Sequence, residues 1–146
     1  MDNYKKTYIA HSENSKGIKQ TMKGHCLGVA EFMKEFALSE SFADLYNFCG
    51  LIHDIGKYSD DFQKHIAGEN NMVKHSIYGA IYAKDKSLFE IAIPVFGHHA
   101  GLPNRPEMLK DIEIEQNESK KYDTICKAWM NDFGCQISFY SSISTL

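Results

Sequence analysis

His53 and Asp54 stand side by side at the end of an apolar stretch (Phe48, Cys49, Leu51, Ile52) and run straight into Ile55-Gly56-Lys57. An imidazole nitrogen beside a carboxylate oxygen suits a divalent first-row metal, and neighbouring side chains at a helix end can converge on one ion. Further imidazoles occur at His25, His75 and the adjacent pair His98-His99. Taken singly, each is accounted for by a packed histidine with a satisfied ring nitrogen. Taken together they resist that account, because adjacent histidines at an otherwise apolar helix end would bury two polar rings that each need partners.

The elements that must gather these residues are helical. Apolar positions recur at helical spacing in most segments, and no stretch shows sustained alternation bounded by hairpin signals, so the expected class is all-α. A first helix is expected from about Met22 to Leu38, with Val29, Phe32, Met33 and Phe36 as its inward stripe. A second carries Phe42, Leu45, Tyr46, Phe48, Cys49 and Ile52, opened near Ser41 and closed by Gly56 in the left-handed conformation. A short helix follows Ser59, with Asp60 and Asp61 in its first turn and Phe62 and Ile66 inward. Gly68 to Asn71 reads as a loop. Val73, Ile77, Ala80 and Ile81 mark a helix to about Lys84, and Ser87 caps another carrying Leu88, Ile91, Ala92, Val95 and Phe96, which Pro94 should kink or shorten. Asn104 to Asp111 reads equally as a short helix or an ordered loop. The acidic stretch to Glu118 is solvated, and a last helix from about Ser119 to Asn131 turns Ile125, Ala128 and Trp129 inward. Six of the seven histidines thus fall at or near helix ends or loops.

The 146 residues, 43% hydrophobic and 24% charged, suit one globular domain with a continuous core. No stretch is long and apolar enough to span a bilayer and no leader is apparent, so a cytoplasmic protein without membrane association is expected. Four scattered cysteines (Cys26, Cys49, Cys126, Cys135) form no CxxC pair and read as reduced packing thiols. The net charge of -3 gives no support for nonspecific nucleic-acid binding. Charge is uneven, however: residues 1–25 hold five lysines against Asp2 and Glu13, and residues 107–123 hold six acids against three lysines. Bound divalent ions would add positive charge at the site itself.

The pattern resembles the HD phosphohydrolase superfamily, and more specifically the HD nuclease domain of the type I CRISPR-associated helicase-nuclease. The resemblance rests on Tyr8-Ile9-Ala10-His11-Ser12, Gly24-His25, Leu51 to Lys57 followed by Phe62-Gln63, Lys74-His75-Ser76 and Gly97-His98-His99-Ala100-Gly101-Leu102. It implies a compact helical bundle with the metal site between helices. It also implies one metal held by His25, His53 and Asp54 and a second held by Asp54, His75, His98 and His99, with Asp54 bridging. A carboxylate has two oxygens to share between cations, whereas a neutral imidazole offers one donor. The nitrogen and oxygen set without thiolate points to manganese, iron, cobalt or nickel, with magnesium disfavoured by so many histidines.

The activity implied is metal-dependent hydrolysis of phosphodiester bonds in single-stranded DNA, as an endonuclease or exonuclease of CRISPR antiviral defence. Two cations about 3.5–4 Å apart would activate water against the scissile bond. Asp54 and Lys57 are the expected catalytic residues, Lys57 by reaching a phosphate oxygen where charge builds; a solvated lysine at a helix end is its plainer account. His11 would position substrate or orient a ligand, or merely bond to backbone. His65 has no counterpart in the motifs and is expected to face solvent. Implied partners are single-stranded DNA, a helicase domain or subunit and the guide-RNA surveillance complex.

The chain departs from that pattern at its end. The family's nuclease domain continues past the double histidine to a further aspartate ligand, so residues 1–146 read as a single HD nuclease domain, truncated or short at the C-terminus. Asp123 and Asp132 are candidate substitutes. No GxxxxGK[ST] loop is present, and a helicase would be a separate chain or further sequence. Two alternatives remain open: a phosphohydrolase of nucleotides or cyclic nucleotides, and an inactive metal-binding module that regulates or docks.

Overall fold

A computed structural model describes residues 6–69, 72–117 and 119–137. Seven α-helices dominate these residues: α1 (Met22–Glu35), α2 (Glu40–Ile52), α3 (Asp60–Ile66), α4 (Ser76–Asp85), α5 (Phe89–Gly97), α6 (Arg105–Gln116) and α7 (Ser119–Ile137). The class is all-α as expected. One small addition is an antiparallel pair, β1 (Ile9–His11) with β2 (Gln20–Thr21). Strands of three and two residues leave no alternation for a sequence pattern to register.

Helices α1 and α2 approach closely because small residues meet between them. A Cβ built on Gly50 would stand 2.5 Å from the Cα of Ala30. This contact decides which face of α1 is buried: Met22, Cys26 and Ala30 point inward, while Phe32 and Phe36 are 60% and 63% exposed. The aromatic stripe expected to face the core is therefore half wrong. Large side chains cannot enter an interface that the backbones themselves fill. Phe42, expected inward on α2, is likewise exposed.

The loops between helices show further corrections. Helix α2 is capped at Ser39, not Ser41, and ends at Ile52. A 3-10 turn, Ile55–Tyr58, follows it. Gly56 lies inside that turn without a positive φ, so it does not close α2 as a left-handed residue. Its role is proximity: a Cβ there would collide with the carbonyl oxygen of His75 and come 2.7 Å from Tyr78 Cδ2. Ser59 caps α3 as expected, accepting from the Phe62 amide at 3.2 Å.

Helix α4 starts at Ser76, so Val73 precedes it. Ser87, with φ of 62°, ends α4 rather than starting α5: its amide donates to the Lys84 carbonyl and that of Leu88 to the Ala83 carbonyl, both at 2.9 Å. Helix α5 runs through Pro94 to Gly97 without stopping. Pro94 and Glu90, whose carbonyl the missing amide would have served, are both exposed, so water can take the lost place. Helix α6 settles the open reading of Asn104 to Asp111 as helix and carries it on to Gln116, with Pro106 in its first turn and Met108 and Ile112 buried. Helix α7 runs to Ile137, past the expected Asn131, and buries Ile125, Trp129 and Phe133. The chain after Ile137 lies outside the described residues, as does the Cys135 side chain. Cys26 and Cys49 are buried free thiols, Cys49 pushed up to about 11 by desolvation. Among the described residues no helix is long and apolar enough to cross a membrane.

The core ties these elements to the end of α2. Trp129 on α7 donates its indole N–H to the Leu51 carbonyl at 3.1 Å, satisfying an acceptor that the helix end leaves open. A Cβ on Gly79 of α4 would collide with the Ile52 carbonyl oxygen, so α4 lies against the same turn.

Candidate metal centre

Four helix ends meet at Asp54. His25 comes from the first turn of α1, His53 and Asp54 follow α2, His75 precedes α4, and His98 and His99 follow α5. All six residues fall into two groups whose ligand-type atoms lie within 4.8 Å of one another: His25, His53 and Asp54 in one, Asp54, His75, His98 and His99 in the other. Asp54 belongs to both.

The carboxylate divides its oxygens between the groups. Oδ2 lies 2.9 Å from His25 Nε2 and 3.1 Å from His53 Nε2. Oδ1 lies 3.2 Å from His75 Nε2 and 3.3 Å from His98 Nε2. Asp54 is 2% exposed, and its Oδ1 is a buried oxygen with no hydrogen-bond partner. Burial works against its charge, but the contacts from His25, His53, His75 and His98 outweigh that cost and hold the carboxyl well below the usual carboxylate range.

Backbone carbonyls set the imidazole orientation. His53 Nδ1 lies 2.7 Å from the Gly50 carbonyl oxygen and His98 Nδ1 lies 2.6 Å from that of Val95. Both use the same local device, a residue at a helix C-terminus bonding three positions back to an acceptor that the helix leaves free. His75 Nδ1 meets the Val73 carbonyl at 3.2 Å. A carbonyl only accepts, so each of these Nδ1 atoms is the donor in its bond, and Nε2 is the nitrogen that each ring turns toward Asp54. His75 Nε2 also stands 2.8 Å from His99 Nε2, and His25 Nε2 stands 3.2 Å from His53 Nε2. Five imidazole nitrogens and a carboxylate converge here. That donor set, made of nitrogen and oxygen alone around the buried Asp54, fits a divalent cation.

Lys57 is 5% exposed. Its ammonium bonds Asp54 Oδ2 at 2.9 Å and the Ala10 carbonyl at 3.4 Å, with the Phe62 ring 5.4 Å away. The solvated account of this lysine is thus overturned, and its first partner is the shared carboxylate. His11, at the end of β1, is exposed and in edge contact with His25, ring centroids 4.8 Å apart. Burial and the positive charge of Lys57 favour its neutral form. Desolvation and His98 do the same for His99. His65 is half-buried on α3, its ring 6.0 Å from that of Phe62, and does not belong to the ligand groups.

Neither candidate for a replacement acid joins the centre. Asp132 accepts from the Tyr58 hydroxyl at 2.9 Å, and Asp123 is exposed on α7. A residue whose part the sequence left unassigned is Gln63. Its side chain accepts from the Ile9 amide at 2.9 Å and donates to the Ile9 carbonyl at 3.0 Å and the Lys57 carbonyl at 2.8 Å. It therefore clamps β1 to the turn that carries Lys57. Its place beside Phe62, which packs edge-on against His75 at 5.0 Å, was the signal available.

Comparison with known proteins agrees with this arrangement at the level of the family. The HD domain family model matches residues 22–129, which include all six clustered side chains. No curated protein and no solved structure matches the chain.

Proposed function

Since the chain belongs to the HD domain family, whose members are usually metal-dependent hydrolases, we propose that it is a metal-dependent phosphodiesterase that cuts single-stranded DNA. The observation that carries this reading is the division of Asp54, one oxygen to each histidine group, with Oδ1 buried and unpartnered. His25, His53 and Asp54 would hold one cation and Asp54, His75, His98 and His99 a second. A bound divalent metal would supply a Lewis acid for phosphate oxygens and a lowered pKa for water.

The protein's own groups do the rest. The carbonyls of Gly50, Val73 and Val95 keep the Nδ1 protons in place and so hold the Nε2 donors toward the centre. Lys57 balances the buried charge of Asp54 and keeps a cation beside the place where a phosphodiester would be attacked. His11 lies on the open side of His25, where it can meet the substrate strand.

The DNA substrate and the CRISPR setting draw on the motifs around His11, Gln63 and His98-His99, and in that setting a helicase and a guide-RNA complex deliver the strand. Manganese, iron, cobalt or nickel suit the histidine-rich set better than magnesium. The test uses metal-stripped protein given each of these cations in turn with circular single-stranded DNA and, separately, a panel of nucleotides and cyclic nucleotides. Cleavage of the circle that Asp54→Ala abolishes is the expected result. Turnover of nucleotides alone would replace this reading with a nucleotide phosphohydrolase, and metal binding without turnover would replace it with a regulatory module.

A further inference from the structure

Beside the metal centre, the loop joining β1 to β2 walls a cleft of about 520 Å³ whose lining includes His11, Asn14, Ile18, Lys19 and Thr21. We propose that this cleft is a subsite for the nucleotide next to the scissile phosphate, so that the site selects a phosphodiester strand over a mononucleotide. The inference rests on the phosphodiesterase reading and specifies its substrate.

Position is the first argument. His11 is common to the cleft and to the surroundings of the centre, since its ring touches that of His25. A strand crossing the metal centre on this side has its next residue in the cleft. Chemistry is the second. Lys19 offers an ammonium for a phosphate, held among the described residues by an exposed pairing with Glu13 at 3.4 Å that a phosphate can replace. Ile18, 60% exposed, offers an apolar face to a base. His11 lines the cleft and carries ring nitrogens that can donate to a phosphate oxygen or accept from a sugar hydroxyl.

Rigidity is the third. Asn14 Oδ1 accepts from the amides of Lys16 at 2.9 Å and Ile18 at 3.1 Å, and the Asn14 amide donates to the Ile18 carbonyl at 3.0 Å. Gly17 turns the loop with φ of 72°. Gln63 fixes β1 from behind. An exposed loop so bonded within itself forms its binding wall before the ligand arrives, which removes part of the ordering cost.

The test is binding, measured by fluorescence anisotropy of a short labelled oligothymidylate on metal-stripped protein, with thymidine monophosphate as competitor. The expected result is a strand bound more tightly than the mononucleotide and weakened about fivefold or more in Lys19→Ala and in Ile18→Asp. For Lys19→Ala the salt dependence should also flatten by about 0.7 in log–log slope, the loss of one single-strand phosphate contact. Lys34→Ala, the same charge change at the far end of α1, serves as the control. Equal binding of strand and mononucleotide, or equal effects of Lys19→Ala and Lys34→Ala, overturns the subsite. Hydrolysis of bis(p-nitrophenyl) phosphate by the metal-loaded protein tests the phosphodiesterase reading separately, because that ester has no neighbouring nucleotide to place in the cleft.

Discussion

Gly56 lies against the backbone of His75 so closely that any side chain at position 56 would occupy the space of the His75 carbonyl, with the carbonyl carbon itself 2.8 Å from a built Cβ. The contact joins the two sides of the centre: Gly56 follows the shared Asp54 by two positions, and His75 belongs to the group at Oδ1. Gly56→Ala must therefore push the turn and the start of α4 apart. The expected cost is about 1–3 kcal/mol of stability, as for overpacking elsewhere. Affinity for a divalent cation should fall further than the loss of stability explains, measured by calorimetric titration beside chemical denaturation. A variant of unchanged metal affinity would show that this contact does not set the distance between the groups.

Removing the cation should lower the thermal midpoint. A ligand that binds only the folded state at a hundred times its Kd adds about 2.7 kcal/mol, which for a domain of this size is roughly 5–10 °C. Scanning calorimetry of the chelated and metal-loaded forms measures the difference. Protons compete with the cation for the imidazole nitrogens, so the shift should shrink as the pH falls.

Asp54→Ala should take the shared carboxylate from both groups, and cation affinity should drop by more than the roughly 10–100-fold typical of residues that only orient ligands. The same substitution removes a buried charge from beside Lys57, leaving that ammonium with the Ala10 carbonyl as its hydrogen-bond partner. Circular dichroism on the variant separates loss of metal from loss of fold.

Gln63→Leu should uncouple β1 from the body of the protein. The Ile9 amide and the Lys57 carbonyl would each lose a hydrogen bond in a half-buried place, at about 1–3 kcal/mol together. Amide exchange at Ile9 should speed up while exchange within α2 and α4 stays slow. Unchanged protection at Ile9 would show that strand pairing alone secures β1.

Alkaline pH should destabilise the fold through two buried phenols. Tyr82 is pushed up to about 12 by desolvation, and Tyr58 is raised by burial and by its bond to Asp132. Both stay protonated in the folded protein where an unfolded tyrosine ionises, near pH 10. Their contribution is thus complete below that pH and is lost as the pH rises toward the folded values. Phenolate absorbance should show Tyr58 and Tyr82 ionising late, and Tyr58→Phe should soften the alkaline transition.

The adjacency of His53 with Asp54 and of His98 with His99 made much of the centre readable in the sequence, because neighbours in the chain at helix ends cannot be far apart in space. The convergence of His25 and His75 on them came from motif likeness, since no local pattern carries a distance across the bundle. Other features escaped for physical reasons. Hydropathy could not tell that α1 would bury Ala30 and expose Phe36, because the choice was made by the approach of Gly50. Lys57 reads as a cation for phosphate or as a solvated lysine, yet it is buried against the acid three residues before it. Pro94 reads as a residue that kinks or shortens its helix, yet α5 continues through it to Gly97.

Anomalous scattering from crystals soaked in manganese tests the central claim most directly. The account predicts density on both sides of the Asp54 carboxylate, between His25 and His53 on one and among His75, His98 and His99 on the other. A saturated crystal with no density at this carboxylate, or with its manganese elsewhere, would contradict it.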